Sequence, residues 1–459
     1  MPKFFCNLPF EQFTISTDGY YNVCCESTLP FDHSEKVTPL EWINSDTMKE
    51  IRNSFLSYDA REDPLIQKAC TACIRREKIG INSKRNREIN KVKAREPLKH
   101  DTKIPNALTS KNSILLENIK KHSFDEEITQ VKSMHLNGFG NHCNLQCIMC
   151  GPRSSSKWAK TVLKYPDINK DMKNWTKKIH NDDSLTYWVD REILFKNDES
   201  RKKLFKSLSS FISKDHTLSI VLTGGESLIN PTDQALIKYL SEHPLAKTNL
   251  VLTINTNGTI PPKVIKSIGL LNFKHVSLSI SFDGMDKVYD YIRTGKSWSV
   301  YNRNMKDLHK LADQYKNLYL TQFTTIQAIN VHQVPEMIKY CADNNYFLWH
   351  KNWIQDEFSS ERKRNMELIG SQFRFHFLKD SFIKSKDGTG CVWFLPQHLK
   401  EKYIKKLEGV KEAKVNSIIE SLKLTEYWEK DNSYIIREFL DKSSMINKID
   451  WKEIWPELQ

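Results

Sequence analysis

The stretch that decides the fold and the chemistry of this chain is Cys143–Cys150, which reads CNLQCIMC. Its three cysteines follow the spacing C-x3-C-x2-C. Just upstream, Met134–Phe139 has the alternating pattern of a short strand. An iron–sulfur cube normally takes four cysteinates. Three cysteines in one loop therefore predict a cube with one iron open to a chelating small molecule, much as a catalytic zinc keeps one open position.

Two other interpretations of these cysteines fit less well. A structural zinc site needs a fourth ligand to close its tetrahedron, and the only nearby candidate, His142, is poorly placed beside Cys143. Cys147 and Cys150 have the spacing of a redox-active pair. That pairing leaves Cys143 without a role.

A glycine-rich motif follows the next aliphatic run, Leu218–Leu222. It is Thr223-Gly224-Gly225-Glu226, in which the glycines let the backbone approach a ligand and Glu226 supplies an acceptor. An ordinary turn at a strand end is the alternative. Its position behind the cysteine loop favours a binding role.

Polar residues follow three later aliphatic runs in the same way. They are Asn255–Gly258 after Leu250–Ile254, Ser281–Gly284 and then Arg293 after Val276–Ile280, and Gln327 and Asn330 at the end of Leu318–Ile329. In (β/α) barrels, ligand contacts lie at the carboxyl ends of parallel strands. Turn and cap chemistry is the alternative for the Asn-Gly and Asp-Gly pairs.

Segments with helical periodicity separate these strands. Examples are Leu236, Tyr239 and Leu240, and Val334, Met337, Ile338 and Cys341. Alternating strands and helices predict an α/β fold with a parallel sheet. Six such units would curl into an open, partial (β/α)6 barrel.

In this order, the motifs resemble those of the radical S-adenosylmethionine (SAM) superfamily, over Val131–Trp353. The resemblance implies a 4Fe–4S cluster on Cys143, Cys147 and Cys150 as the catalytic centre, with SAM on its open iron. Glu226 would hold the amino group of SAM, Arg293 would face its carboxylate, and the other polar residues would meet the ribose or adenine. The implied SAM-binding residues are Gly224, Gly225, Glu226, Asn255, Asn257, Ser281, Asp283, Arg293 and Asn330, with Gln327 as a further contact.

A second cysteine set lies near the amino terminus. Cys6, Gly19-x4-Cys24 and Cys70-x2-Cys73 resemble the auxiliary-cluster module called the twitch domain. Four cysteines match a second, closed 4Fe–4S site. Zinc is the alternative metal, and Cys25 could replace Cys24 as a ligand. Ile79 stands where the larger SPASM module would place its next cysteine, which favours one auxiliary cluster rather than two.

The domain prediction follows from these motifs. Residues 1–110 form the twitch-like module and linker, 111–378 the barrel with a long insertion at 151–215, and 379–459 a helical extension. Family members usually carry the module after the barrel, so the order here is permuted. The module is still expected to cap the barrel mouth, because domain order can change without changing spatial neighbours.

Composition agrees with a soluble enzyme in a reducing compartment. No apolar window is long enough for a membrane helix, and the start of the chain lacks a signal-peptide pattern. We therefore expect a cytoplasmic protein without membrane contact, whose 10 cysteines are mainly cluster ligands. Cys341 and Cys391 have apolar neighbours and are expected in the core.

A basic stretch raises the question of partners. The chain has a net charge of +13, and its densest basic run contains Arg76, Lys78, Lys84, Arg85 and Arg87. A solvated helix or linker is the simplest interpretation, although such runs also attract nucleic acid or acidic peptides.

The sequence thus predicts a radical SAM enzyme that abstracts hydrogen from a peptide or protein side chain, with a reductant such as flavodoxin or ferredoxin. Radical modification of a nucleotide, nucleic acid, small alcohol or carbohydrate is the enzymatic alternative. From a different class, the alternative is a noncatalytic, zinc-stabilised protein that binds nucleic acid through the basic run.

Overall fold

The computed structural model describes residues 3–27, 29–78, 82–94, 114–164, 186–344, 346, 395–410 and 433–459, with the single positions 415, 419, 422 and 423. Several predictions concern residues outside this part of the chain. They are Ile79, the linker at the end of residues 1–110, the barrel after residue 346 with the start of the C-terminal extension, and Cys391.

Among the described residues, seven strands form one sheet in the order β2-β1-β3-β4-β5-β6-β7. The strands are β1 Gln12–Ile15, β2 Tyr21–Asn22, β3 Ser133–Leu136, β4 Leu218–Leu222, β5 Leu250–Thr256, β6 His275–Ser281 and β7 Leu318–Phe323. From β1 to β7 along the sheet, neighbouring strands are parallel. Only β2 in this sheet is antiparallel to its neighbour. The predicted α/β class with a parallel sheet is confirmed.

The first strand of the predicted N-terminal module belongs to the sheet of the barrel. β1 pairs in parallel with β3, from Gln12 opposite Ser133 to Ile15 opposite Leu136. β2 then turns back along the outer side of β1. The division at residue 110 therefore does not separate two sheets.

The fifth predicted strand, Leu318–Ile329, is too long. The observed β7 ends at Phe323, and a loop leads from there to Asn330. The Asn330 side chain holds that loop, because its amide donates to the Thr325 carbonyl at 2.8 Å and its oxygen accepts from the Gln327 N–H at 2.7 Å. A polar side chain that satisfies the backbone locally replaces the strand ladder. The sixth predicted unit would follow, beyond the described residues.

Helices cover both the barrel segment and its neighbours. Those described are α1 Leu8–Glu11, α2 Pro39–Ile43, α3 Asp46–Leu56, α4 Pro64–Ala69, α5 Thr71–Lys78, α6 Lys84–Ala94, α7 Ile114–Ser123, α8 Ser156–Val162, α9 Tyr187–Asp190, α10 Asp198–Ser209, α11 Pro231–Ser241, α12 Ala246–Asn249, α13 Pro262–Ser267, α14 Asp286–Ile292, α15 Trp298–Gln314, α16 Val334–Asp343, α17 Gln397–Glu408 and α18 Ser433–Asn447.

Local sequence explains where the key helices begin. Asn230 caps α11 by accepting from the N–H groups of Thr232 and Asp233, and proline occupies the first helical position. Ser155 caps α8 by accepting from the Trp158 N–H at 3.3 Å. The helical periodicities predicted in α11 and α16 are confirmed, and α17 agrees with the helical extension predicted from residue 379.

Two apolar clusters hold these elements together. The larger joins the sheet to the N-terminal helices and includes Phe13, Ile254 and Cys341. The smaller packs the cysteine loop against the C-terminal helices and includes Cys147 and Trp455. The predicted C-terminal extension thus shares a core with the cysteine loop.

Candidate active site

The three cysteines Cys143, Cys147 and Cys150 lie in the loop after β3, at the edge where the parallel strands end. All three are free thiols. The Cys150 N–H donates to the Cys147 carbonyl at 3.0 Å, which closes a tight turn. The buried Trp158 side chain on α8 donates to the same carbonyl at 2.7 Å. A turn and a tryptophan together therefore fix the middle cysteine.

The cysteine loop is also joined to the segment after α14. The Gln146 N–H donates to the Thr294 carbonyl at 2.8 Å, and the Ile148 N–H donates to the Ile292 carbonyl at 3.0 Å. Arg293 lies between these two contacts, and its Nη1 is 3.4 Å from the sulfur of Cys147.

The three thiols have different proton affinities. A hydrogen bond from Cys150 lowers the pKa of Cys147 to about 7, and Arg293 acts in the same direction against burial. Burial raises the pKa of Cys143 to about 12. The hydrogen bond to Cys147 and burial together raise the pKa of Cys150. Because metals bind thiolates, loading this loop must release protons.

The donor set fits a three-cysteine cube. Within the described part of the chain, no group of three or more Cys, His, Asp or Glu side chains is arranged to hold a metal ion. A four-iron cube makes a different demand, because each cysteine binds its own iron at a separate corner. Three free thiols in one short loop, one of them facing a guanidinium, suit that demand.

The Gly-Gly-Glu motif after β4 touches the cysteine loop directly. The Glu226 N–H donates to the His142 carbonyl at 2.8 Å. Gly224 and Gly225 have φ values of +84° and +54°, and a Cβ at Gly224 would lie 2.2 Å from the Asn137 carbonyl oxygen. Glycine is therefore required here because two backbones meet.

The Glu226 carboxylate is buried, with 1% of the residue exposed. It accepts from the Asn257 N–H at 2.7 Å and from the Thr256 hydroxyl at 2.9 Å. Burial raises the pKa of Glu226 to about 7, although these hydrogen bonds favour the ionised form. This side chain thus ties the end of β4 to the end of β5.

A small amide network links the end of β5 to the cysteine loop, and sequence reasoning missed it. Asn257 donates from Nδ2 to the side-chain oxygen of Asn144 at 2.8 Å, and Asn144 donates to the Thr259 hydroxyl at 2.8 Å. The position of Asn144 inside the cysteine motif was the available signal. The predicted Asn255, by contrast, has an exposed side chain.

Asp283 and Arg293 form a buried ion pair after β6. Arg293 Nε donates to Asp283 Oδ2 at 2.7 Å, and the Thr325 N–H donates to Oδ1 at 2.7 Å. Asn330 donates from its side chain to the Asp283 carbonyl at 3.1 Å. Ser281 is half-buried at the end of β6. Most of the predicted SAM-binding residues are therefore at one edge of the sheet, with Asn330 serving the backbone of the loop after β7.

The N-terminal cysteines gather at a different place. Cys6, Cys24, Cys70 and Cys73 line one small cavity. Burial raises the pKa of Cys6 to about 12 and raises that of Cys70 above its usual range. The neighbouring Cys25 is exposed. The chain thus brings the four predicted auxiliary ligands together, although the first and the third are 64 positions apart in the sequence.

The two cysteine groups lie at opposite edges of the sheet. Cys6 precedes β1 and Cys24 follows the antiparallel β2, so both lie where β1 begins. The four residues of β1 put roughly 13 Å of strand between the edges. The expectation that the module caps the barrel mouth is therefore not met by its cysteine cavity. Its turn after β1 does reach that edge, where the Thr17 hydroxyl donates to the Asn137 carbonyl at 2.9 Å.

The basic run is largely ion-paired in the structure. It forms parts of α5 and α6, where Lys84 pairs with Glu88 at 2.7 Å and Arg85 pairs with Glu77 at 2.5 Å. Lys84 and Arg85 also line the N-terminal cysteine cavity. Two of the five basic residues, each paired with a glutamate, thus lie at the cysteine cavity.

Comparison with models of known protein families finds a match. A sequence model of the Radical SAM superfamily matches residues 137–341, which contain the cysteine loop and the ends of β4 to β7. No curated protein matches the chain. In the part of the chain that the structure describes, no helix is long and apolar enough to cross a membrane.

The matched segment coincides with the site built above, from the three-cysteine loop to the polar ends of the parallel strands. This family implies a 4Fe–4S cluster and SAM as cofactors. Residues 137–341 of the chain form a radical SAM domain.

Proposed function

We propose that Cys143, Cys147 and Cys150 bind the cluster of this radical SAM enzyme and that Glu226 helps to hold SAM. The observation that carries the proposal is the direct contact between the two motifs, the hydrogen bond from the Glu226 N–H to the His142 carbonyl at 2.8 Å. Because SAM would contact both the cluster and Glu226, the cysteine loop and the Gly-Gly-Glu motif must lie side by side.

When bound, the cluster and SAM supply a one-electron cleavage of the sulfonium C5′–S bond, which yields methionine and a 5′-deoxyadenosyl radical that takes a hydrogen atom from the substrate. The chain holds and orients these groups. Gly224 and Gly225 bring the end of β4 against the cysteine loop. A carboxylate has about four acceptor sites, and Glu226 uses three of them on Thr256, Asn257 and Leu228. The remaining site is available to an ammonium group.

We also propose that the N-terminal cavity holds a second, closed 4Fe–4S cluster. Four cysteines line it, and four cysteinates satisfy a cube completely. Lys84 and Arg85 at its wall would offset the negative charge of the bound thiolates. Its place at the far edge of the sheet argues against direct contact between this cluster and the reacting substrate.

The substrate we propose is a peptide or protein side chain, modified in the cytoplasm with electrons from a flavodoxin or ferredoxin. Support comes from the long insertion at 151–215, whose described ends border the cysteine loop. The His142 N–H donates to the Glu192 carbonyl at 3.1 Å, and the Asn141 N–H donates to the Arg191 carbonyl. Long connections at the active edge of a barrel are where substrate walls are built.

Anaerobic reconstitution tests the proposal. The protein should bind about eight irons as two cubes and convert SAM to 5′-deoxyadenosine under dithionite. Peptides deuterated at candidate carbons should transfer deuterium into that product. Stoichiometric zinc without SAM cleavage would contradict the assignment, whereas cleavage without transfer from any peptide would contradict only the substrate class.

A further inference from the structure

Arg293 is held in a fixed orientation beside the cysteine loop. The residue is 8% exposed, and its partner Asp283 is fully buried. Two of the three guanidinium nitrogens, Nε and Nη2, donate to Asp283 Oδ2. The third nitrogen, Nη1, is left facing Cys147, 3.4 Å from its sulfur.

The surroundings prevent this arginine from turning away. The other oxygen of Asp283 accepts from the Thr325 N–H, so the carboxylate cannot rotate freely. The backbone on either side of Arg293 is hydrogen-bonded to Gln146 and Ile148, the two neighbours of Cys147. A buried ion pair is a weak source of stability, because desolvation offsets much of the Coulomb attraction. Its rigid placement against one sulfur therefore calls for a functional explanation.

We propose that Arg293, anchored by Asp283, is a positioning residue that donates a hydrogen bond to the Cys147 sulfur and so makes the radical cluster easier to reduce. The inference rests on the proposed function, in which Cys147 is a cluster ligand. Hydrogen bonds to cluster sulfurs are among the factors that set reduction potentials. A charged donor stabilises the more negative, reduced cluster, so that removing the donor lowers the potential.

This role differs from the one that the family resemblance implies for Arg293, which is contact with the SAM carboxylate. A carboxylate contact affects SAM affinity and has no effect on a cluster without SAM. A hydrogen bond to Cys147 changes the potential of the cluster before SAM is added. The SAM-free cluster is therefore the state that separates the two roles.

The test is a redox titration of reconstituted full-length protein, followed by electron paramagnetic resonance without SAM. The signal of the loop cluster is identified in parallel samples by its change on adding SAM. Arg293→Lys keeps the charge and removes the planar donor. We expect the variant to need a lower potential for half-reduction, with a ratio of reduced to oxidised cluster at least tenfold smaller at fixed potential, which for one electron is about 59 mV.

A second variant keeps the proposal testable if Arg293→Lys does not fold. Asp283→Asn with Arg293→Gln removes both charges together, so no unpaired ion is buried and the net charge is unchanged. We expect the same direction of shift. Arg52→Lys is the matched control, because Arg52 is also buried but donates to the Pro9 carbonyl, away from the loop. It should leave the potential unchanged.

A SAM-free potential equal to that of the unaltered protein in both variants would overturn the inference. Failure of both variants to assemble the loop cluster would also count against it, because tuning does not require assembly to fail. Absence of iron from the loop of the unaltered protein would instead refute the proposed function. The outcomes of the two proposals are therefore distinguishable.

Discussion

The two cysteine groups of this protein differ in the number of thiols that they offer and in their surroundings. The loop Cys143–Cys150 offers three thiols and lies at the carboxyl edge of the sheet, against the ends of β4, β5 and β6. The N-terminal group offers four thiols in a small cavity at the opposite edge. The first borders both polar strand ends and an apolar cluster, and the second is lined by apolar residues together with Glu26, Ser27 and the cations Lys84 and Arg85.

This difference indicates what a cluster with one iron open to a ligand requires of its surroundings. Four cysteines close a cube, so their surroundings need only exclude water and offset charge. Three cysteines leave one corner for a ligand, and the neighbours must shape that corner. In the proposed site, Gly224, Gly225 and Glu226 would do so through their direct backbone contacts with the segment after β3.

Removing each cysteine group in turn should have the largest effects on iron content and SAM cleavage. Cys143, Cys147 and Cys150 changed together to Ala should abolish SAM cleavage and leave about four irons, because the N-terminal cavity keeps its ligands. Cys6, Cys24, Cys70 and Cys73 changed to Ala should leave about four irons in the loop. Iron analysis and 5′-deoxyadenosine assays give the result. Loss of all iron in either protein would contradict two independent sites.

Gly224→Ala should disrupt the loop cluster and spare the N-terminal one. The new Cβ would lie 2.2 Å from the Asn137 carbonyl oxygen at a φ of +84°, so the two backbones must separate. A left-handed conformation alone costs about 1–2 kcal/mol in a residue with a Cβ. Gly409→Ala is the control, since its Cβ would meet the nearest atom at 3.6 Å. Equal iron content in both variants would show that the close approach is unimportant.

Glu226→Ala should weaken SAM binding by roughly tenfold to a hundredfold, the range for losing a hydrogen bond to a charged group. The iron content of the loop should change little, because Glu226 is not one of the proposed cluster ligands. Equilibrium binding of SAM to the reconstituted protein measures the effect. An unaltered affinity would remove Glu226 from the SAM site.

A smaller effect concerns the buried carboxyl groups near the cysteine loop, Asp233 and Glu226. Burial raises the pKa of Asp233 to about 7, and its carboxylate accepts from the Phe139 N–H at 3.0 Å. Between about pH 4 and 7, the folded protein holds a proton that the unfolded chain has released. The free energy of unfolding should therefore fall as pH rises through that window, by at most about 1.4 kcal/mol per pH unit for this group.

Asp233→Asn should flatten this dependence in the metal-free, reduced protein. Glu226 keeps part of the slope, because its pKa is also raised to about 7. Urea unfolding at pH 5 and pH 7 makes the measurement. Identical slopes in the two proteins would argue that the Asp233 carboxyl is ionised throughout the window.

Sequence patterns predicted the parts of the site that are local. β4 spans Leu218–Leu222 as its aliphatic run indicated, and β5 and β6 extend only one or two residues beyond theirs. The cysteine spacing and the Gly-Gly-Glu motif carry their chemistry within a few residues. The end of β7 was harder to predict. The strand was predicted too long because Asn330 stabilises the loop after it through hydrogen bonds that hydrophobic periodicity does not show.

Contacts between residues that are far apart in the sequence could not be predicted. The pairing of β1 with β3 joins residues about 120 positions apart, and the linking of Asn144 to Asn257 spans 113. The C-terminal extension packs beside the cysteine loop, with the Tyr291 hydroxyl donating to the Leu440 carbonyl at 3.0 Å. The sequence shows whether each of these residues is apolar or polar, but which residue it contacts depends on tertiary packing.

The central claim is that the loop Cys143–Cys150 holds a cube with a corner reserved for SAM. The most direct test is the electron paramagnetic resonance spectrum of the reduced protein that lacks the N-terminal cysteines, recorded before and after adding SAM. A ligand on the open iron should change the signal. A spectrum that stays the same at saturating SAM would contradict the claim.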